Sequence, residues 1–474
     1  MNFSEEYFDD EYDSISGEEE VKSKIKLCKE LIEKGEIFSN IDFIEDTIQL
    51  CMEDDFVEDG LELVEALIQI APYNSDAWQF KGVLLNNIFE FEEANKCFEK
   101  SLSLNPNDVE TLINKSIAED NLGLFDEAVN SLQRAMEIEP YNEEIHYNLG
   151  LLFEKKEKFE EAIKNFKNAI KIDPEYSEAW YELGFCNDNL DRFSEALKSY
   201  DKFLEIEPNS FTGWYNKGIV FIRMNEYEKA LNAFELSIAL KEDFASSWFN
   251  LGFAYYKLNR FNDALDAYKK AHQIDPYDET ILFNMAQTYE ELGNIHQAIK
   301  SYTQAIKLDS EYYEAYLGRG YCYDAVGKYQ LALKDFNKAI ALTSNPEDAW
   351  FAKADLEYSL GNLRASINSY LKAVEINPDN FNAWYKLAET YIEVGSWLDA
   401  LNAYDQCLRI KPEHASSYYG KAKINFLLSR TQDAIDCLRK AFQLDPNIKN
   451  EFAREYPDVK TSKLFIKLIE ENKS

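Results

Sequence analysis

Residues 245–278 read ASSWFNLGFAYYKLNRFNDALDAYKKAHQIDPYD, and this stretch decides the fold. Trp248, Leu251, Gly252 and Tyr255 recur at i, i+3, i+4 and i+7, which places them on one face of a helix. Ala264, Tyr268 and Ala271 share one face of a second helix. Gly252 and Ala264 are small enough to let the two backbones approach, while Trp248 and Tyr268 fill the space around that contact. Pro276 cannot continue a helix and ends the second one. The segment is expected to fold as a helical hairpin.

The same pattern recurs along the chain. Nine of the eleven prolines (Pro72, Pro106, Pro140, Pro174, Pro208, Pro276, Pro378, Pro412 and Pro446) are spaced by 34 residues or multiples of it, as are six of the seven tryptophans, Trp78, Trp180, Trp214, Trp248, Trp350 and Trp384. Eleven uninterrupted units start at Ser75, Val109, Glu143, Ser177, Phe211, Ala245, Glu279, Tyr313, Glu347, Phe381 and Ala415, and the last ends at Ile448. Position 20 of the unit is alanine in ten of them, with Ser366 the exception, and position 8 is always Gly, Ala or Ser. Departures occur at Glu242, Ser310 and Ser344, which replace the proline, and at Phe203, where a small residue is expected.

Trp248-x2-Leu251-Gly252-x2-Tyr255, Ala264-x3-Tyr268, Ala271 and Pro276 together resemble the tetratricopeptide repeat. The resemblance implies an all-α fold, an α-solenoid forming a right-handed superhelix of tetratricopeptide helical hairpins. Residues 75–448 would hold eleven tandem repeats. Residues 21–74 read as an N-terminal capping helix followed by a degenerate repeat from Ile41 to Asn74, and 449–474 as a C-terminal capping helix, since a solenoid must cover the apolar ends of its terminal repeats. Residues 1–20, with nine acids and no bases, read as an acidic disordered tail.

Composition narrows the function. Fifty basic against 87 acidic residues give a net charge of −37, the wrong sign for nucleic acid, so no nucleic acid is expected as a partner. No apolar run approaches the ~20 residues of a membrane span and the N-terminus carries no secretory pattern, so no membrane insertion and a cytoplasmic location are expected. The seven cysteines are scattered without a C-x-x-C pair and read as small buried apolar residues; the four histidines make no zinc motif. The repeats leave no segment of the ~100 residues that a catalytic domain normally needs, and no phosphate-cradling glycine loop or nucleophile constellation stands out. No enzyme activity, cofactor, metal or catalytic residue is expected.

The resemblance further implies that the first helix of each unit lines a concave wall, at positions 2, 5, 6, 9, 12 and 13. In the middle of the array those positions hold Tyr147, Asn148, Tyr181, Phe185, Tyr215, Asn216, Ile219, Phe249, Asn250, Phe253, Phe283 and Asn284. Asparagine amides both donate and accept, which suits the backbone of an extended peptide, and some members of the family bind peptides through such a ladder. Aromatic and Asn residues at these positions are equally compatible with a purely structural role in the repeat. Lys155, Arg223 and Lys257, all at position 13, are candidates to contact an acidic group. The residues required for the family's carboxylate clamp are absent from any three successive units. The expected function is a protein–protein interaction scaffold for an extended, basic segment of another protein. The alternatives are a structural subunit that self-associates or packs into a complex, and a partner that presents substrate to a separate enzyme.

Overall fold

A computed structural model of the chain describes residues 6–54 and 56–456, with side chains from residue 18 onward. Among the described residues there are 26 α-helices, one short 3-10 helix and no strand. The chain divides into two compact units, Met1–Lys241 and Glu242–Ser474. The first holds the helix Glu6–Glu33 and six antiparallel hairpins, from Ile41–Glu53 with Val57–Ile70 to Phe211–Arg223 with Tyr227–Leu240; the second holds six more, from Ala245–Lys257 with Phe261–Ile274 onward, and the short helix Ile448–Glu455. The division falls at Glu242, one of the three positions where the helix-ending proline is missing.

Each 34-residue unit is a 13-residue helix, a three-residue turn and a 14-residue helix, as in Ala245–Lys257 and Phe261–Ile274. The turn places position 15 in the left-handed region in all eleven units, with φ between 56° and 78°. Glycine fills it in five of them and Phe89, Glu157, Asp191, Asn225, Asn259 and Ser429 in the others. Phe89, Glu157 and Ser429 carry a local steric cost of about 1 kcal/mol or more each, which the short polar side chains of Asp191, Asn225 and Asn259 largely escape. The packing of the two helices imposes the turn even where the residue resists it.

The two sequence registers, Pro and Trp, share a period because they bond to each other. The indole N–H groups of Trp78, Trp180 and Trp214 donate to the carbonyls of Pro72, Pro174 and Pro208 at 3.0, 2.9 and 3.1 Å, and that of Trp384 donates to Pro378 at 2.9 Å. Where Glu242 replaces proline, its carbonyl still accepts from Trp248 at 2.9 Å. The proline ring stops one helix and its free carbonyl anchors the next.

Helix contact within a hairpin follows the small residues. Every alanine at position 20 is fully buried, and a Cβ added at Gly252 would lie 2.8 Å from the Tyr268 ring. The oversized Phe203 is accommodated because Gly213, opposite it, has no side chain to displace. Ser366, the one exception at position 20, is also fully buried and its hydroxyl has no hydrogen-bond partner among the described residues. Ser366→Ala is therefore expected to stabilise the protein by about 1–2 kcal/mol, read as a higher urea midpoint at unchanged slope.

The N-terminal end differs from expectation. From Glu6 the acidic stretch belongs to one continuous helix that runs to Glu33. The i,i+4 pairs Glu18–Lys22 and Glu20–Lys24 join its acids to the basic residues that follow. Val21, Ile25 and Cys28 bury themselves against Ile44, Ile48 and Cys51 of the first hairpin. At the other end Ile448 and Phe452 cover Tyr419 and Phe442. The remainder of the expected C-terminal cap, residues 457–474, lies outside the described residues.

Candidate protein-binding site

In the first unit, Tyr147, Tyr181 and Tyr215 sit at the same position of three successive first helices, Glu143–Lys155, Ser177–Asn189 and Phe211–Arg223. Each is half-buried, with its ring 5.9 Å from the aromatic at position 24 of its own repeat: Phe166, Tyr200 and Phe234 respectively. These tyrosines thus close the hairpin while keeping part of the ring accessible. Phe185, one helical turn on, is the most open of the row at 39% exposed, and Ile219 is half-buried.

In the second unit the same arrangement holds for Phe249 against Tyr268 and Phe283 against Tyr302, both at 5.7 Å. Phe253 is half-buried with the Lys257 ammonium 5.1 Å from its ring centre. The twelve residues singled out in the sequence therefore divide into seven in the first unit and five in the second.

The asparagines are committed within the protein. The side-chain amides of Asn148, Asn250 and Asn284 donate to the carbonyls of Glu144, Ser246 and Thr280, four residues back, at 2.9, 2.9 and 2.8 Å. Asn216 donates to the Tyr181 hydroxyl at 2.7 Å. An amide has two N–H donors and a carbonyl acceptor, so each of these bonds orients its side chain.

Two of the three candidate cations are neutralised. Lys155 pairs with Asp120 of the preceding repeat at 2.8 Å, and Arg223 pairs with Asp188 at 2.7 Å and with Asp191, its guanidinium lying over Phe193. Position 13 of one repeat meets position 12 of the one before, so these charges serve as rungs between repeats. Lys257 has no ion pair among the described residues; it lies over Phe253.

A group that sequence reasoning missed stands inside the first-unit row. Glu182 occupies position 6, interrupting the series Asn148, Asn216, and shares a hydrogen bond with Glu154 at position 12 of the preceding repeat. The Cys186 thiol donates to Glu154 at 3.5 Å. Burial and the neighbouring Glu154 charge push Glu182 up to about 8, and burial raises Glu154 as well, so at neutral pH the pair keeps a proton. The interruption of the asparagine series is the one signal in the sequence that points to it.

Because the unfolded carboxyl loses its proton near pH 4.5 and the folded one near 8, the native state binds more protons between those values. This contribution to stability is complete below pH 4.5, falls as pH rises through that window and is gone above it. Melting curves from pH 5 to pH 9 are expected to show this decline, and Glu182→Gln to flatten it; an equal decline in the variant would contradict the assignment.

The cysteines behave as read. Six of the seven are buried and none is paired, and burial pushes the Cys51, Cys322 and Cys407 thiols up to about 12, away from thiolate reactivity. Among the described residues no cluster of three or more His, Cys, Asp or Glu side chains is arranged to hold a metal ion, and no helix is long and apolar enough to cross a membrane.

Comparison with curated proteins finds no match. Solved structures similar to the chain include a tetratricopeptide repeat protein from Parabacteroides merdae, at 20% identity over 53% of this chain and 98% of that one with a TM-score of 0.41. YrrB, a TPR protein with an unusual peptide-binding site, matches at 22% identity over 40% of this chain and 97% of that one, TM-score 0.36. The APC/C hetero-tetramer Cut9–Hcn1 matches at 16% over 90% and 96%, TM-score 0.38. Family models described as tetratricopeptide repeat match residues 75–108, 143–176, 177–210, 199–232, 245–278, 283–349 and 385–447, and one described as TPR repeat matches 121–157, 220–259 and 354–395. With hairpins in one phase along the whole matched region and one set of packing positions behind them, the chain belongs to the tetratricopeptide repeat family.

Proposed function

We propose that the protein is a non-enzymatic scaffold that holds an extended, basic segment of another protein along the first helices of its repeats. The observation that carries this reading is the recurrence of a half-buried aromatic and an oriented amide at the same two positions of first helices, at Tyr147 with Asn148 and Tyr215 with Asn216 in the first unit and at Phe249 with Asn250 and Phe283 with Asn284 in the second. A ligand laid across such a row meets apolar area in every repeat and an amide in each repeat but the one where Glu182 stands. The net charge of −37 favours basic partners and raises their association rate. The buried, unpaired cysteines suit a reducing compartment, which supports a cytoplasmic location as part of the same proposal.

The test is affinity capture from native cells at moderate salt, followed by mass spectrometry, with the wild-type chain and two variants, Asn216→Ala with Ile219→Ala and Asn250→Ala with Phe253→Ala. A short set of partners lost with either variant is expected. Partners captured equally by all three proteins would overturn the site.

A further inference from the structure

Outside the row already described, the second unit contains a cavity of about 320 Å³ formed by three first helices, Glu347–Ser359, Phe381–Glu393 and Ala415–Leu427, with the second helix Trp397–Ile410 and the terminal helix Ile448–Glu455. Its aromatic wall is four tyrosines, Tyr358, Tyr385, Tyr404 and Tyr419. Tyr404 is reached because Gly420 stands at position 6 of its repeat: any Cβ there would overlap the Tyr404 ring and hydroxyl. Tyr385 meets Tyr404 edge-on, with ring centres 5.8 Å apart.

The charges facing this space are mostly negative. Glu389, Glu393 and Glu451 line it against one cation, Lys423. Lys423 is already neutralised, lying 3.6 Å from Glu455 and 4.6 Å from the centre of the Tyr419 ring. Lys386 approaches Glu389 at 3.7 Å with both side chains well exposed. Glu393 accepts the Tyr358 hydroxyl, and neither Glu393 nor Glu451 has an ion pair among the described residues. Lys423 shows what this wall accepts, an ammonium seated on a tyrosine face beside a carboxylate.

We propose that the cavity receives a lysine or arginine side chain from an extended partner polypeptide. The inference rests on the reading of the first helices as a binding wall and adds the residue that the partner must carry at this repeat. Tyrosine faces and carboxylates both attract a cation, and the attraction strengthens where water is partly excluded. A volume near the lower end of ligand pockets suits one long side chain better than a metabolite. An acidic side chain would meet three carboxylates, and an apolar one would strip water from them without replacing it.

The experiment uses the full chain. A display library of random nine-residue peptides is panned on wild type, the enriched peptides are resynthesised, and the basic residue at the most constrained position is replaced by a neutral isostere, citrulline for arginine or norleucine for lysine. The replacement is expected to weaken binding about tenfold on wild type and no more than about twofold on Glu389→Gln/Glu393→Gln. Glu451→Gln, on the terminal helix, serves as a second variant should the first fold poorly, with the same loss of discrimination expected. An equal penalty on wild type and variants, or enrichment without any basic position, overturns the cavity assignment and leaves the binding wall standing. Failure of wild type to enrich any peptide overturns both.

Discussion

Phe166→Ala is expected to destabilise the first unit by about 3–5 kcal/mol, the range for emptying a fully buried aromatic site. Phe166 has no exposed surface, and it fills the space left by Gly150 on the facing helix so closely that a methyl at 150 would overlap its ring. It also supports Tyr147, one of the candidate binding residues, at 5.9 Å. The neighbouring repeats cannot collapse into the void without disturbing their own alanine contacts, so little of the cost is recovered by relaxation. In a solenoid each repeat contacts only its neighbours, and the damage should therefore be local. Limited proteolysis is expected to cut first within 143–176, and urea unfolding followed by circular dichroism should show an early transition. Gly150→Ala probes the same contact from the other side, at about 1–3 kcal/mol through overpacking. Combining it with Phe166→Leu should recover part of that loss, since the smaller side chain makes room for the added methyl. A Phe166→Ala protein within 1 kcal/mol of wild type would mean that the small-residue contact is not what holds the hairpin.

That contact was legible in the sequence because it is made between fixed positions of one repeat. Positions 8, 20 and 24 must be small, small and large, and Trp at 4 and Pro at 32 are joined by a hydrogen bond, so composition carries the geometry directly. The turn was less legible: position 15 is left-handed in every unit but is glycine in only five. The proposed binding wall was legible as a set of positions and not as a set of free groups. Nothing in Asn216 says that its amide donates to Tyr181, and nothing in Lys155 or Arg223 says that Asp120 and Asp188, each thirty-five residues away, neutralise them. Those partners are fixed by how one repeat stacks on the next. The Tyr and Glu cavity was hidden for the same reason, being assembled from three repeats and the terminal helix around a glycine that reads as an ordinary small residue.

The second large effect is expected at Arg319, which occupies position 7, a core position held by leucine in the hairpin at 245–278. Its guanidinium binds Asp335 through two hydrogen bonds of 2.7 and 2.9 Å and donates a third, of 3.1 Å, to the Thr303 hydroxyl of the preceding repeat. Asp335 is 4% exposed. Arg319→Met should cost about 3–5 kcal/mol, because it leaves a buried carboxylate without its partner. Arg319→Met/Asp335→Leu should return most of that loss, since an apolar pair of similar volume avoids the desolvation of both charges. The exposed pair Lys96–Glu93 is the control: Lys96→Ala is expected to leave the urea midpoint essentially unchanged. Urea is the appropriate denaturant because guanidinium would itself screen charge. Repeating the measurement in 1 M salt separates two kinds of electrostatics, since the Debye length there is about 3 Å. The field of the acidic surface should be suppressed, slowing the association of the basic partner proposed above, whereas the Arg319→Met penalty should remain. A penalty that disappears with salt would show the pair to be solvated. The Thr303 contact would then contribute little to the stacking of the repeat at 279 on the repeat at 313.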